Sequence, residues 1–357
     1  MVGGGLATGI PTSGSAEDGG APVNGGATAG GVSASAGSSS GSLLPIPSGA
    51  KGASPSATGS ASGSADANMG TTGSSGTQSG AARGGGGGAT ESSGPDPTML
   101  PQVSGKCPTF QNGSTATVTT SAGSIEAQIW MGASGGQGGP LILYWHGTAS
   151  SPQAEVPIAF DTSALEAAGG MIAGFVSSSR TGTPTGNTGD AVWYESDAAF
   201  ADQVVACAIE QLGISPRRIH TAGYSAGGLQ TVYMWYGRSG YIASAISYSG
   251  GDAVINKVAM EDPTNVAPVV AAHGAMGSDA FVIDFASASA TWESDIKALG
   301  GFSIDCNDGG NHLDFFDKRA PGLKPAALQF FLDHPFKTKP EPYTSLPSAF
   351  PAYCHID

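Results

Sequence analysis

The chain has 357 residues, and its first hundred hold 27 glycines, 19 serines and 16 alanines without one aromatic, histidine or cysteine. Such a stretch cannot bury enough apolar surface to offset the roughly 1–2 kcal/mol per residue that ordering a backbone costs, so residues 1–104 are expected to form no domain and to act as a disordered linker or stalk. The formal charge of −14 divides into −3 before residue 101 and −11 after it, and so acidic a domain has no electrostatic footprint for nucleic acid.

Every aromatic, histidine and cysteine falls in residues 105–357, a length that suits one α/β domain with a full core. No run of about 18 apolar residues occurs, which excludes a transmembrane helix. The opening Met1-Val2-Gly3-Gly4-Gly5 lacks the basic region and apolar core of a secretory signal. Linker composition and cysteine usage nevertheless favour export, so the expected location is secreted, cell-surface or periplasmic.

Residues Thr115 to Met131 alternate apolar and polar positions around Ser121-Ala122-Gly123 and predict a β-hairpin. Leu141-Ile142-Leu143-Tyr144-Trp145 is a continuous apolar run of strand length, the mark of a parallel strand buried on both faces. A capped helix is expected around Asp161 to Ala168 and a strand from Met171 to Val176. After a polar loop, Phe200, Val204, Val205, Cys207, Ala208 and Leu212 recur at helical spacing and predict a helix from Asp197 to Leu212, stopped by Gly213. The alternation continues with a strand over Arg218 to Gly223, a helix over Ala226 to Tyr236, and strands over Ile242 to Tyr248 and Pro268 to Ala272. A helix over Ser287 to Leu299, a strand over Phe302 to Cys306 and a closing helix over Lys324 to Leu332 complete it. Such βα alternation predicts a mostly parallel sheet with helices on both faces and ligands beyond the carboxyl ends of its strands.

Cys107, Cys207, Cys306 and Cys354 are even in number and contain no Cys-x-x-Cys pair, which rules out zinc-ribbon and thioredoxin readings. Disulfides or buried thiols remain, with three connectivities open. A bridge to Cys107 or Cys354, which bracket the domain, would tie down a terminus.

The sharpest signal is Gly223-Tyr224-Ser225-Ala226-Gly227, a G-x-S-x-G between a predicted strand and a predicted helix. A serine there sits on a tight turn that lifts its hydroxyl clear of the backbone and aims the next amide at a developing oxyanion. Serine needs a positioned base. Of His273, His312 and His334, only His312 joins a strand-end position to a small-residue loop, Asp308-Gly309-Gly310-Asn311, that can carry an imidazole over the serine. The acid should lie between serine and histidine. Asp279 is favoured, with Asp284 and Asp252 as rivals, because the chain order alone does not separate them. For the oxyanion, the amides of Ala226 and of Thr148, after His146-Gly147, are the expected donors. His146 and His220 are read as structural. Trp193 and Tyr194 are read either as aromatic lining of a substrate cleft or as packing residues.

Three blocks, Trp145-His146-Gly147, Arg217 through Gly228, and Gly309-Gly310-Asn311-His312, make the chain from about Cys107 to Cys354 resemble the secreted α/β-hydrolase esterases grouped with poly(3-hydroxybutyrate) depolymerases, feruloyl esterases and acetylxylan esterases. The family's acid usually lies in a His-Gly-x-x-Asp-x-x-Val run. Here His273-Gly274 is followed by two extra residues before Asp279-Ala280-Phe281-Val282. The resemblance implies an α/β-hydrolase esterase that works through an acyl-serine, with no metal or organic cofactor. Only about twenty residues separate Gly251 from the next strand, too few for a cap domain, so a site open to polymer- or plant-polysaccharide-linked esters is expected, on a monomer. A serine peptidase on the same fold and a non-catalytic surface adhesin are the alternative readings.

Overall fold

The computed structural model describes residues 94–132, 136, 138–186, 192–253 and 256–357. The hairpin forms as expected from β1 (Thr115–Thr120) and β2 (Gly123–Met131), paired antiparallel with Val118 opposite Ile125. β3 (Leu141–Trp145) and β4 (Met171–Phe175) lie parallel in register. β5 (Pro184–Gly186) and β6 (Trp193–Tyr194) make a separate two-stranded ribbon. β7 (Ile219–Tyr224), β8 (Ser244–Tyr248), β9 (Val269–His273) and β10 (Ser303–Asn307) extend the parallel sheet, and β11 (Cys354–Ile356) closes its edge antiparallel to β10. The order is β1-β2-β4-β3-β7-β8-β9-β10-β11.

Burial on both faces explains why the central strands read as unbroken apolar runs. Leu141, Leu143 and Trp145 enter one core, whereas Ile142 and Tyr144 enter the other. Helix α3 (Asp197–Leu212) covers the first face with Phe200, Val204 and Ala208. Helices α1 (Pro152–Ala159) and α6 (Ala320–Asp333) cover the second with Val156, Leu323, Ala327 and Phe331. Helix α2 (Thr162–Ala167) adds Leu165 to that second core, and α4 (Ala226–Gly237) and α5 (Phe285–Ala298) enclose a third cluster around Trp235 and Trp292. Among the described residues no large cap interrupts the fold, and no helix is long and apolar enough to cross a membrane.

The ribbon β5–β6, the edge strand β11 and helix α1 add to the sequence expectation, and two boundaries shift. Helix α1 forms despite Pro157 in its interior, started by the Ser151 side chain, which accepts from the Ala154 amide. Helix α6 begins at Ala320, ahead of the expected Lys324, because Pro321 occupies the first turn, where a missing N–H costs nothing. The low-complexity reading extended to residue 104, and its part over residues 1–93 lies outside the described residues. From residue 94 onward the chain rests on the domain. Pro97 is buried, Leu100 packs against the first core, and the Ser104 amide and hydroxyl both donate to Gln203 Oε1 at 2.8 Å.

All four cysteines pair, Cys107 with Cys207 and Cys306 with Cys354. The first bridge spans 100 residues and ties the entry of the domain to α3; the second joins directly opposed residues of β10 and β11. Loop-closure entropy assigns a loop of that first length on the order of 4–5 kcal/mol. The double substitution Cys107→Ser, Cys207→Ser is therefore expected to lower unfolding free energy by about 2–5 kcal/mol, read from the urea midpoint. An unchanged midpoint would show that this bridge constrains nothing the core does not already hold.

Candidate active site

The turn between β7 and α4 carries Ser225 at φ 57°, ψ −119°, a conformation an L-residue adopts only when its surroundings enforce it. The enforcement is visible in the flanking glycines. A Cβ on Gly227 would stand 1.8 Å from the Trp145 carbonyl oxygen, and one on Gly223 would stand 2.4 Å from the Gly227 carbonyl oxygen. Any larger residue at either place would push α4 off the end of β3. The Ser225 amide is held by the Tyr248 carbonyl at 2.9 Å, so the turn is fixed to β8 as well.

Loops after β9 and β10 bring the remaining groups to this turn. His312 Nδ1 donates to Asp279 Oδ1 at 2.7 Å, which leaves Nε2 as the acceptor facing Ser225 Oγ at 2.9 Å. The imidazole stacks on Phe285 at 4.5 Å and on Tyr224 at 5.0 Å between ring centres, and Tyr224 Oη donates to the His312 carbonyl oxygen at 2.9 Å. The serine, the histidine and the favoured acid thus meet in one hydrogen-bonded line.

The rival acids are used elsewhere. Asp284 caps α5, accepting from the Ser287 amide at 2.9 Å and the Gly277 amide at 2.6 Å. Asp252 accepts from Tyr236 Oη at 3.2 Å and pairs with Lys257 at 3.0 Å. His334 is buried against Phe330 and Tyr343 and faces Glu341 at 2.9 Å. His220 is a packing residue, stacked on Phe331 and bonded to Ser244 Oγ at 2.8 Å. His146 is likewise engaged by the carbonyls of Gly147 at 2.7 Å and Val176 at 3.2 Å.

Asp279 is fully buried, yet its carboxyl is held below the usual carboxylate range. Burial alone pushes it up; the hydrogen bond from His312, the Arg319 charge and the Gly274 amide at 2.8 Å together outweigh that push. Ser249 Oγ adds a bond at 3.0 Å and itself accepts from Arg319 Nη1. Arg319, fully buried in the turn Phe315–Arg319 before α6, lies 3.5 Å from Asp279 Oδ2 and 3.1 Å from Asp308 Oδ2. Composition gave no signal for Arg319 or Asp308, since their meaning depends on a contact between two loops.

A cleft of about 290 Å³ opens over Ser225 and His312, walled by Thr148, Ala149, Ser150, Tyr224, Phe281, Leu313 and Phe316. Phe281 and Leu313 are 70% and 67% exposed, large apolar side chains left in water at its mouth. Thr148 lines this cleft with Ser225, and Ala226 is the first residue of α4, whose opening amides have no acceptor within the helix. Trp193 does not line the cleft. Its ring is wholly buried beside Trp145 and His146, and its Nε1 donates to the His146 carbonyl oxygen at 2.9 Å, so it braces the strand end from behind. Tyr194, half-buried on the same ribbon, is not among the cleft residues either.

The Thr148 loop has an anchor that the sequence reading missed. Glu155, buried on α1, accepts from the Gly147 amide at 3.1 Å, from Tyr144 Oη at 2.9 Å and from the Ser150 side chain. Burial, the dominant influence, raises its carboxyl to about 7 despite those bonds. Between its ordinary value of 4.5 and about 7 the unfolded chain has lost this proton while the folded chain keeps it. This group's contribution to stability therefore falls as pH rises through that window, by on the order of 3 kcal/mol at most. Glu155→Gln is expected to flatten that fall, which denaturant titrations of both proteins from pH 5 to pH 8 would read. Parallel curves for the two proteins would contradict it.

No protein-family model matches the chain, and no curated protein matches its sequence. Among solved structures, native pOPH superimposes with a TM-score of 0.54 at 15% identity, covering 70% of this chain and 97% of that one. A pOPH variant in complex with pNPB gives 0.55 at 14% identity, covering 70% and 96%. The domain has the α/β-hydrolase fold.

Proposed function

We propose that the chain is a serine carboxylic-ester hydrolase that works through an acyl-Ser225 intermediate. The observation that carries this reading is the unbroken line Ser225 Oγ, His312, Asp279 at the floor of an apolar cleft. In the proposed reaction His312 Nε2 takes the hydroxyl proton as Ser225 Oγ attacks the ester carbonyl carbon, and returns it to the departing alcohol oxygen. Water then repeats the sequence on the acyl-serine. Asp279 keeps the imidazole in the tautomer that leaves Nε2 free to accept, and stabilises the imidazolium that forms. The amides of Ala226 and Thr148 receive the oxyanion.

The cleft supports an ester whose reacting carbonyl is flanked by apolar matter, and the absence of a covering cap suits a polymer- or polysaccharide-linked substrate. Two disulfides support an exported protein.

Ser225→Ala is expected to reduce hydrolysis of p-nitrophenyl butyrate by about 10⁴-fold or more with an unchanged unfolding midpoint, and to abolish labelling by a fluorophosphonate. Retained turnover in a folded variant would reject the serine mechanism; absent labelling of the wild type would favour a non-catalytic surface domain. For the cleft, Phe281→Ala is expected to lower kcat/KM for a p-nitrophenyl octanoate by roughly tenfold while leaving the acetate nearly unchanged. Equal losses on both esters would remove Phe281 from substrate recognition.

A further inference from the structure

His273 ends β9 one residue before Gly274, whose amide holds Asp279, but its side chain belongs to a different group. Nδ1 faces the Gly274 carbonyl oxygen at 2.7 Å and donates to it, which turns Nε2 toward Asp305 Oδ1 on β10, 3.0 Å away. Glu293 reaches the same place from α5. It is only 6% exposed, and its Oε1 is buried without a hydrogen-bond partner. The three donor atoms lie within 4.8 Å of one another, and among the described residues no other three histidine, cysteine or acidic side chains are so grouped. No lysine or arginine among the described residues pairs with Glu293 or Asp305. Two carboxylates thus meet in a largely buried site faced by the His273 imidazole, with the exposed His355 ring only at the outer Asp305 oxygen, 3.6 Å away, and a buried carboxylate oxygen without a partner is costly.

We propose that His273 Nε2, Asp305 Oδ1 and Glu293 Oε1 form a binding site for a divalent transition-metal ion of the zinc type. A dication neutralises the two carboxylates and gives Glu293 Oε1 the partner it lacks. The imidazole already has the arrangement of a metal ligand, with the far nitrogen fixed by a backbone carbonyl and the near one turned to the site. Ligand bonds of about 2.0–2.2 Å in a tetrahedron place donors roughly 3.3 Å apart; the His273–Asp305 edge is 3.0 Å, and rotation of the Glu293 carboxylate closes the rest. One imidazole with two carboxylates suits zinc, with water completing the tetrahedron, whereas calcium and magnesium take all-oxygen shells. Asp305, the partly exposed member, gives the ion its way in. Once bound, the ion joins α5, β9 and β10, and fixes the strand end from which the Gly274 amide reaches Asp279.

The test uses the full chain, stripped with a chelator and then freed of it. Titration with zinc chloride alone by calorimetry is expected to show one ion per chain at micromolar affinity or tighter, with a rise of several degrees in Tm. Cobalt(II) should give the visible absorption of a tetrahedral site. Glu293→Gln, which keeps the side-chain shape, should weaken zinc binding roughly tenfold or more, and Asp305→Asn should do the same. Absence of zinc binding by the stripped wild type overturns the proposal whether or not the variants fold. So does unchanged affinity in both variants, which would place the ion elsewhere, and so does tighter binding of calcium than of zinc, which would exclude the imidazole as a ligand.

Discussion

The site depends on keeping one carboxylate charged where no water reaches it. Asp279 has no exposed surface, and an ion in that position survives only through its partners. Those partners come from four segments: His312 from the loop after β10, the Gly274 amide from the end of β9, Ser249 from the end of β8, and Arg319 from the turn before α6, itself paired with Asp308 of the His312 loop. Counted as charges, Asp279 and Asp308 against Arg319 leave the resting network at net −1. When His312 takes the serine proton in the proposed reaction, the network becomes neutral. The buried Arg319 thus limits the cost of holding two acids beside the imidazole beforehand.

The serine side of the site is set by close packing of backbone, with little help from charge. Ser225 keeps its positive φ because β7, β3 and α4 meet so closely that only hydrogen fits at Gly227. The same crowding fixes the loop after β3, where Glu155 takes the Gly147 amide and Trp193 takes the His146 carbonyl. Two kinds of constraint, steric on one side and electrostatic on the other, converge at a separation of 2.9 Å between Ser225 Oγ and His312 Nε2.

Much of this was legible in the sequence because it is written in local patterns. Unbroken apolar runs marked the strands buried on both faces, and the G-x-S-x-G between strand and helix marked the elbow. What stayed hidden required contacts between distant segments. Asp279, Asp284 and Asp252 are equal as letters; they separate only when the fold gives Asp284 the amides of α5, gives Asp252 to Tyr236 and Lys257, and leaves Asp279 for His312. Glu155 and Arg319 look like ordinary helix-surface residues until their burial is seen. Trp193 was open between cleft and core because a tryptophan beside a polar loop fits both, and its indole N–H decides for the core by finding a buried carbonyl. Residues 94–104 depart from the Gly/Ser/Ala composition before them, with three prolines and with Met99, Leu100 and Val103, but so short a stretch has no periodicity to show that it packs against α3.

The loop from Gly274 to Asp279 shows how such a site divides into a held and an unheld part. It closes in a turn, with the Ser278 and Asp279 amides donating to the Ala275 carbonyl at 2.9 and 2.8 Å and Gly277 at φ 74°. Gly274, Ser249, Arg319 and His312 hold the Asp279 carboxylate on its inner side. The rest of the loop faces outward, at Met276 and Phe281, which stand 71% and 70% exposed. Three wall residues follow a chemical residue within two positions, Phe281 after Asp279, Leu313 after His312 and Ala149 after Thr148. Loop length can thus reshape the mouth of the cleft while the reacting atoms stay in place, since charge and close packing hold the inner end of each loop and nothing comparable holds the outer end.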